Sequence, residues 1–251
     1  MPRMVYGVRP VLELLRARGR EVSLVLLADR EVATRALREV VEAARQSAVT
    51  SEARPRASLD ELVGTTGHQG VVAIVGEYPY ADLEDLLAEA ARRGEPPFLV
   101  ILDGVQDPQN LGALVRSAHV FGAHGVVIPQ DRAAPVTSAA VKASAGATEH
   151  TRVARVVNLA RTLELLRGRG LWIVGGVADG GRPPWEVNLS GPLALVVGAE
   201  GKGIRPLVLR GCDHLVRIPM RGQVASLNAS AAGAVLLYEA VRQRLASRTG
   251  R

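Results

Sequence analysis

A glycine-rich stretch with one acidic residue follows an apolar run near the middle of the C-terminal half. Leu193 to Val197 is uninterrupted apolar sequence, and it leads directly into Gly198-Ala-Glu-Gly-Lys-Gly203. A strand buried on both faces has this apolar character. Loops without side chains let a ligand reach main-chain N–H and C=O groups. The stretch therefore predicts a strand that ends in a ligand-binding loop.

Two common nucleotide-binding loops do not fit this stretch. A P-loop needs a different glycine spacing and a hydroxyl residue after the lysine, but Gly203 follows Lys202. A dinucleotide fingerprint that begins at Gly201 needs a third glycine where Pro206 stands. Glu200 also places a negative charge in the loop, which disfavours a phosphate. The expected ligand is therefore not held in the way that these loops hold phosphates.

Other side chains with usable chemistry stand at the starts of two predicted helices. Asn110 precedes a helical run from Leu111 to Phe121, and we expect it to cap that helix. Arg116 lies within the run among small and apolar residues, where its guanidinium could be a plain surface charge or could bind an oxyanion. Ser226 and Asn228 precede the last helix; one of them is expected to cap it, and the sequence does not decide which.

Together, three segments resemble the motifs of the SpoU (TrmH-type) RNA 2′-O-ribose methyltransferases of the SPOUT superfamily. They occur in the family's order and spacing: Asn110-Leu-Gly-Ala-Leu-Val-Arg116-Ser, Gly198-x-Glu200-x-x-Gly203, and Ile218-Pro-Met220 followed by Ser226-Leu-Asn228. The resemblance implies S-adenosylmethionine as the cofactor, RNA as the substrate, a homodimer with composite sites, and no metal.

The resemblance also implies roles for individual residues. The catalytic set is Arg116, Asn110, Glu200 and Asn228. The cofactor would lie against Val197, Gly198, Ile218, Met220, Ser226 and Leu227, although Ile218 and Leu227 read by themselves are ordinary core residues. The family's arginine is often drawn as a general base. Because a guanidinium holds its proton too firmly for that role, we expect Arg116 to stabilise the 2′-oxygen instead.

Sequence patterns predict an α/β protein with two domains. Residues 1–75 are expected to form a small α/β domain, residues 76–97 a linker with one acidic helix, and residues 98–251 the methyltransferase domain. In the first domain the pattern predicts helices at 7–17, 31–46 and 59–63, the last capped by Ser58, and strands at 22–28 and 71–75. By resemblance this domain is similar to ribosomal protein L30e, and its His68-Gln69-Gly70 turn helps grip RNA; without the resemblance, that turn is an ordinary polar turn.

Alternating strands and helices in the second domain indicate a parallel sheet covered on both faces. Strands are predicted at 98–102, 125–129, 171–177, 193–197 and 215–219. Helices are predicted at 111–121, 137–144 and 158–167, with a helical turn at 204–210 and a last helix that opens at Ala229. The resemblance adds a deep trefoil knot at the C-terminal end, which chain patterns alone would not suggest.

Composition limits the class of protein and its partners. The 251 residues have 47% hydrophobic content and a formal net charge of +6, and all but two of the 31 basic residues are arginine. These values exclude a disordered chain and fit a nucleic-acid partner. The single cysteine, Cys212, fits a reducing cytoplasm, and we expect neither a signal peptide nor a membrane span.

The expected activity is therefore methyl transfer to a ribose 2′-OH, most simply in a guanosine of 23S rRNA, because the N-terminal domain distinguishes the ribosomal RNA enzymes from most tRNA-directed relatives. Three alternatives stay open. The target could be a ribosomal adenosine or a tRNA, or the chain could be a non-catalytic RNA-binding or ribosome-assembly protein.

Overall fold

A four-stranded sheet forms from the N-terminal part of the chain. The computed structural model describes residues 3–29, 34–223 and 226–249. Its first elements are β1 (Arg3–Tyr6), α1 (Val8–Arg18), β2 (Val22–Ala28), α2 (Arg35–Gln46), β3 (Ser51–Arg54), α3 (Arg56–Val63) and β4 (Val71–Val75). The strand order is β1-β4-β2-β3, with β4 antiparallel to both neighbours and β3 parallel to β2.

A second sheet of six strands holds the rest of the chain. Its elements are α4 (Leu83–Arg93), β5 (Phe98–Asp103), α5 (Pro108–Val120), β6 (Gly125–Pro129), α6 (Ser138–Ala143), β7 (Val153–Val156), α7 (Leu159–Gly168), β8 (Trp172–Gly176), β9 (Leu193–Gly198), α8 (Pro206–Leu209), β10 (His214–Val216) and α9 (Ala229–Thr249). All neighbours pair in parallel in the order β10-β8-β9-β5-β6-β7, which confirms the predicted α/β architecture.

The central strands β5 and β9 are buried on both faces, as their unbroken apolar sequence requires. Consecutive residues of β5 pack on opposite faces of the sheet. Val100 packs on the side of α5 and α9, whereas Ile101 packs on the side of α7. Side chains alternate along a strand, so each face of the sheet has its own apolar layer. The sheet is thereby fixed between helices, and only its strand ends are free to form a site.

Strands β2, β4 and β6 have the bounds that the sequence predicts. The sequence patterns missed β1, β3 and β7, each of which is four residues long. Strand β3 (Ser-Glu-Ala-Arg) is mostly exposed, so it has no apolar period to detect. Helix α2 begins at Arg35 after Thr34, whose Oγ1 accepts a hydrogen bond from the Leu37 N–H at 3.3 Å, and the predicted start at Glu31 lies outside the described residues.

Three predicted boundaries are wrong. Helix α5 is capped by Asp107, not Asn110: the Asp107 carboxylate accepts from the N–H groups of Gln109 and Asn110, and Pro108 favours the first helical position. Helix α3 follows Pro55, so Ser58 lies inside it rather than capping it. Strand β10 ends at Val216 because β8, its pairing partner, ends at Gly176.

The two sheets meet through a buried ionic contact. The Glu149 carboxylate, which is fully buried, lies against the guanidinium groups of Arg3 and Arg18 from the N-terminal part. The Tyr78 hydroxyl donates to the Thr148 carbonyl oxygen at 2.9 Å next to this cluster. Burial, with the nearby Glu149 charge, raises the pKa of Tyr78 above its usual value. The contact joins the sheets, and the domain boundaries at residues 75 and 97 stay a prediction.

No helix in the described parts of the chain combines the length and the apolar character that a bilayer crossing requires.

Candidate cofactor pocket and active site

The carboxyl ends of β8 and β9 open into a loop that folds back on itself. The Ala199 N–H donates to the Gly203 oxygen at 3.2 Å, and the Gly203 N–H donates to the Ala199 oxygen at 2.9 Å. A Cβ on Gly198 would meet the backbone of Gly203 at 2.2 Å and the Ile204 nitrogen at 2.4 Å. Only glycine therefore permits this closed turn at the end of the strand.

This loop forms one wall of a cavity of about 450 Å³ at the strand ends. A volume of this size is typical of sites for small molecules and cofactors. All six residues predicted to bind the cofactor line it: Val197, Gly198, Ile218, Met220, Ser226 and Leu227. The structure thus brings together two chain segments, before and after β10, that the sequence motifs had paired.

Further lining residues were missed by the sequence patterns. They come from the end of β8 (Gly176, Val177 and Ala178) and from the inner face of α9 (Ala232 and Leu236). A Cβ on Gly176 would lie 2.7 Å from the Leu236 side chain, so this glycine lets α9 approach the sheet. The detectable signal was the pair of glycines that ends the apolar strand β8.

A network of three polar side chains borders the cavity: Glu200 and Asn228 line it, and Asn110 of α5 bonds to both. The Glu200 Oε1 atom accepts hydrogen bonds from the Asn110 Nδ2 at 3.3 Å, from the Asn228 Nδ2, and from the Ala229 N–H at 3.4 Å. The Asn228 Nδ2 also donates to the Asn110 Oδ1 at 2.9 Å. Three segments far apart in sequence are fixed to each other here, and we call Asn110, Glu200 and Asn228 the polar triad.

Asn228 is also the cap of helix α9. Its Oδ1 accepts from the N–H groups of Ser230 at 2.8 Å and Ala231 at 3.3 Å, and its carbonyl oxygen accepts from the Ala232 N–H. Its side chain thus satisfies two free N–H groups of the first turn with its oxygen, while its nitrogen belongs to the polar triad. Ser226 lines the cavity and is not the cap.

Arg116 is the predicted site residue that the structure does not bring to the others. Its side chain is exposed on α5 and does not line the cavity. Within the described residues it makes no hydrogen bond or ion pair. Six residues separate it from Asn110, which at 3.6 residues per turn turns its side chain roughly 120° away around the helix. Within one chain, Arg116 and the polar triad face different directions.

Asp103 is a buried charged residue of this region that sequence reasoning missed. It ends β5 opposite Gly198, and its carboxylate accepts from the backbone N–H of Arg205 at 2.7 Å and from the Arg205 Nε at 2.6 Å. The pair ties the end of the Gly198 loop to the central strand. A single carboxylate at the end of the apolar run Phe-Leu-Val-Ile-Leu-Asp was the available signal.

The His68-Gln69-Gly70 turn has a structural role in the N-terminal part. His68 is fully buried; its Nε2 lies 2.9 Å from the Asp60 Oδ1, and its Nδ1 accepts from the Gly70 N–H at 3.0 Å. Gln69 has a positive φ of 55° and accepts from the Val8 N–H at 3.0 Å. These contacts fix the turn before β4, and the buried histidine presents no surface to a ligand.

The cavity has the chemistry that S-adenosylmethionine requires. Apolar side chains such as Val216, Ile218 and Leu236 offer contact to an adenine, and the glycine backbone offers hydrogen bonds. Glu200 places a carboxylate at the wall, and no basic side chain is among the described residues that line it. A cavity with a net negative wall suits a cofactor that carries a positive sulfonium centre.

Two family models cover most of the chain. Residues 97–238 match the SpoU rRNA methylase family, and residues 4–81 match the model described as RNA 2′-O ribose methyltransferase substrate binding. The first match contains the cavity, the polar triad and Arg116. The second contains the four-stranded sheet except for Arg3, the first residue of β1.

Curated relatives and solved structures agree with these matches. YacO of Bacillus subtilis, named as a TrmH family tRNA/rRNA methyltransferase, is 46% identical over 96% of this chain and 95% of its own. The 23S rRNA (guanosine-2′-O-)-methyltransferase RlmB of Photorhabdus laumondii is 43% identical over 97% of this chain and 99% of its own.

The crystal structure of the SpoU methyltransferase AviRb from Streptomyces viridochromogenes in complex with AdoMet superposes with a TM-score of 0.80 at 28% identity, covering 97% of this chain and 91% of that one. An AdoMet-bound rRNA methyltransferase from Sinorhizobium meliloti superposes with a TM-score of 0.76 at 25% identity, covering 96% and 87%. With its cavity, motifs and both family models in agreement, the chain belongs to the SpoU (TrmH-type) family of RNA 2′-O-ribose methyltransferases, which use S-adenosylmethionine.

Proposed function

We propose that this enzyme methylates the ribose 2′-OH of a guanosine in 23S rRNA, in the cytoplasm. The observation that carries the proposal is the intact polar triad, two of whose members line the cavity, in a chain whose residues 4–81 also match a substrate-binding model. The similarity to a guanosine-specific RlmB over almost both full lengths supports the choice of base and RNA.

Some residues of this chain would bind the cofactor, and others would fix the loop and helix around it. The residues predicted for the cofactor would hold it against the backbone of the Gly198 loop and the side chains of Ile218 and Leu227. Once bound, S-adenosylmethionine supplies the electrophilic methyl group. Glu200, Asn110 and Asn228 keep the loop and the start of α9 in register, so the ribose oxygen meets a fixed geometry.

Arg116 is proposed to bind the ribose 2′-oxygen and the adjacent phosphate. A guanidinium stabilises the negative charge that develops on the oxygen and does not itself accept the proton. Because Arg116 points away from the cavity of its own chain, it would serve the cavity of a second copy.

A homodimer is therefore part of the proposal. Helix α5, which carries Arg116, packs against α9, and both helices expose apolar side chains: Val120 on α5, and Val235 and Tyr238 on α9. Phe121 packs against Tyr238 with ring centroids 6.1 Å apart, so the two helices present one apolar surface. Such a surface favours self-association. Light scattering at micromolar concentration should give twice the chain mass; a fully active monomer would contradict the dimer.

Mixed dimers test the composite site directly. An Arg116→Lys chain and a Gly198→Ala chain, whose cofactor loop is forced open, are each expected to lose most of their activity as homodimers at a cofactor concentration that only the native cavity binds well. After mixing and reassociation, one of the two sites in each mixed dimer would combine an intact cavity with an intact Arg116. Recovered methyl transfer supports the arrangement across the interface. No recovery, with mixed dimers shown to form, would contradict it.

The proposal includes the C-terminal trefoil knot. The connection between β8 and β9 contacts both β10 and α9: the Arg182 N–H donates to the Leu215 oxygen at 3.0 Å, and the Gln243 Nε2 donates to the Val187 oxygen at 3.1 Å. The described residues just after β10, where the Arg217 N–H donates to the Arg182 oxygen at 2.8 Å, therefore lie beside a long connection that is attached at both sides, which supports threading. An N-terminal domain of the L30e type completes the proposed fold.

Two other targets are distinguished by the same experiment. The name tRNA/rRNA methyltransferase carried by YacO favours a tRNA as the second candidate, and a ribosomal adenosine is the third. Ribose methylation should be mapped in 23S rRNA and tRNA from a strain that lacks the gene. Loss of a single Gm in 23S rRNA, restored by the purified enzyme, is the expected result. Loss from tRNA or at an adenosine would overturn the target.

A non-catalytic RNA-binding protein is the remaining alternative. Uptake of S-adenosylmethionine by calorimetry, without methyl transfer to any RNA from the deletion strain, would favour it. The intact triad speaks against that outcome, because a site without activity has no reason to retain three linked polar groups.

A further inference from the structure

A second cavity lies at the opposite edge of the six-stranded sheet from the cofactor site. Its volume is about 380 Å³, and it is enclosed by the end of α4, the end of α5 and the residues just before β7. Six basic side chains line it, and we call it the basic pocket: Arg92, Arg93, His119, His124, His150 and Arg152. Glu89 is the one acidic residue among its described lining.

The guanidinium charge of the basic pocket is only partly neutralised. Glu89 pairs with Arg92 and, at 2.7 Å, with the Arg93 Nε, and these contacts hold the pKa of Glu89 at about 2. Arg152 reaches Asp85 only at 3.9 Å. Three guanidinium groups thus face a single lining carboxylate, and guanidinium forks bind phosphate oxygens in pairs.

The histidines add donors to the same wall. His119 Nδ1 lies 3.1 Å from the Thr151 Oγ1, and its ring centroid lies 5.6 Å from that of His150. His150 in turn contacts Glu13 of α1 at 2.8 Å. Burial, with smaller contributions from the neighbouring His150 ring and the Arg93 guanidinium, lowers the pKa of His119. The three guanidinium groups repel a further cation, and the lowered pKa of His119 reflects burial and, to a smaller extent, the same positive surroundings. The pocket therefore favours an anion.

The basic pocket is continuous with the surface that carries Arg116. His119 follows Arg116 by three residues on α5, so both side chains lie on the exposed side of the helix with a rise of about 4.5 Å between them. Through Glu13 the pocket also borders α1, which belongs to the region matched as substrate binding. It lies where an RNA that reaches Arg116 would meet both parts of the protein.

We propose that the basic pocket binds a backbone phosphate of the RNA substrate, away from the nucleotide that is methylated. The proposal rests on the proposed function, since it takes RNA as the substrate. A phosphodiester carries the charge that the pocket lacks, and neutralising it releases counterions, which makes the contact salt-dependent. The pocket would add affinity and register without reading sequence.

Two arginines that each form an ion pair with a carboxylate of α4 provide a matched test. Arg152 lines the pocket, is 49% exposed and pairs with Asp85 of α4; Arg169 does not line it, is 52% exposed and pairs with Glu84 of α4. Binding of a 23S rRNA transcript to the dimer should be measured at several salt concentrations. For Arg152→Gln we expect roughly five-fold weaker binding, a higher KM for RNA and a salt slope smaller by about 1. Arg169→Gln should keep the wild-type slope, and cofactor affinity should stay unchanged in both.

Each outcome decides the proposal. Equal slopes for Arg152→Gln and Arg169→Gln would overturn it, even if the enzyme methylates 23S rRNA normally. If RNA binds but no ribosomal nucleotide is methylated, the proposed function fails, while the difference in slopes for the bound RNA still decides the pocket. Inorganic phosphate provides the second arm. Shifts of the His119 and His150 imidazole resonances with phosphate, absent with RNA, would assign the pocket to the free ion and overturn an RNA site.

Discussion

The first turn of α5 and the turn that carries Arg116 differ in how completely their side chains are held. Asn110 is buried and bonded to both Glu200 and Asn228. Arg116 is exposed, and it has no polar partner in the described parts of the chain. Both belong to one sequence motif and one helix. One motif can thus contain a residue that stabilises the pocket within its own chain and another that is free to contact a second molecule.

The difference separates preorganisation from recognition. The polar triad exists before any ligand binds, so changing it should cost stability or cofactor affinity. Arg116 contributes nothing visible to the fold, so changing it should cost turnover alone. Substitutions in the two regions should therefore have opposite effects on turnover and on stability or cofactor affinity.

The largest effect is expected at Arg116. Arg116→Lys keeps the charge but loses the planar fork, so kcat should fall about 100- to 1,000-fold. Calorimetry should give wild-type affinity for S-adenosylmethionine, and the melting temperature should not change, because the native side chain has no hydrogen bond or ion pair to lose among the described residues. Retained turnover would remove Arg116 from the mechanism, and a large loss of stability would erase the contrast with the triad.

Gly198 should show the reverse profile. In Gly198→Ala the new methyl group meets backbone atoms of Gly203 and Ile204 that cannot move without opening the loop. We expect at least ten-fold weaker cofactor binding and a loss of about 1–3 kcal/mol in the free energy of unfolding. Gly191→Ala is the matched control, since it leads into the same strand and a Cβ there meets nothing within 4 Å. Equal behaviour of the two variants would show that the closed loop is not required.

Sequence patterns predicted the buried framework well. Strands such as β2 and β6, with long apolar runs, were placed correctly because burial on both faces leaves a clear pattern. Short edge strands such as β3 and β7 were missed, since their positions depend on neighbours distant in sequence. The caps of α5 and α3 were misplaced because Pro108 and Pro55 start these helices before the residue that propensity favours.

The site was predicted in part for a similar reason. The six cofactor residues lie in motifs, and the cavity contains them all. The triad's connections depend on which segments the fold brings together, so no local pattern could show that Glu200 bonds to Asn110. Sequence patterns could not predict the Asp103–Arg205 pair or the role of the end of β8. Their place beside the cavity follows only from the order of the strands in the sheet.

A second negative charge inside the triad should destabilise the fold at neutral pH. Asn110→Asp preserves shape but replaces the donor to Glu200 by a carboxylate at a separation of about 3.3 Å. Like charges at that distance oppose ionisation of both groups. We expect a stability loss of about 2 kcal/mol at pH 7 that shrinks as the pH falls toward 5 and one carboxyl group takes up a proton. Chemical denaturation at both pH values measures it, with Asn110→Ala as the control whose loss should not depend on pH.

The smallest effect separates the two roles of Asn228. Asn228→Ser keeps an oxygen that can cap α9 but removes the Nδ2 donor to Glu200 and Asn110, so it should cost about 0.5 kcal/mol in unfolding free energy. Asn228→Ala removes both contacts and should cost about 1.5 kcal/mol. The difference between the two variants is the contribution of the cap.

The affinity for the cofactor should depend on the Asn228 Nδ2 donor to Glu200 and not on the Asn228 cap of α9. If Glu200 is held mainly by the Asn228 amide, both variants should weaken S-adenosylmethionine binding by the same few-fold factor, although their stabilities differ. Wild-type affinity in Asn228→Ser would mean that the bond from Asn110 alone holds Glu200. Only Asn110 and Glu200 would then be needed to organise the cofactor pocket, and Asn228 would serve only as the cap of α9.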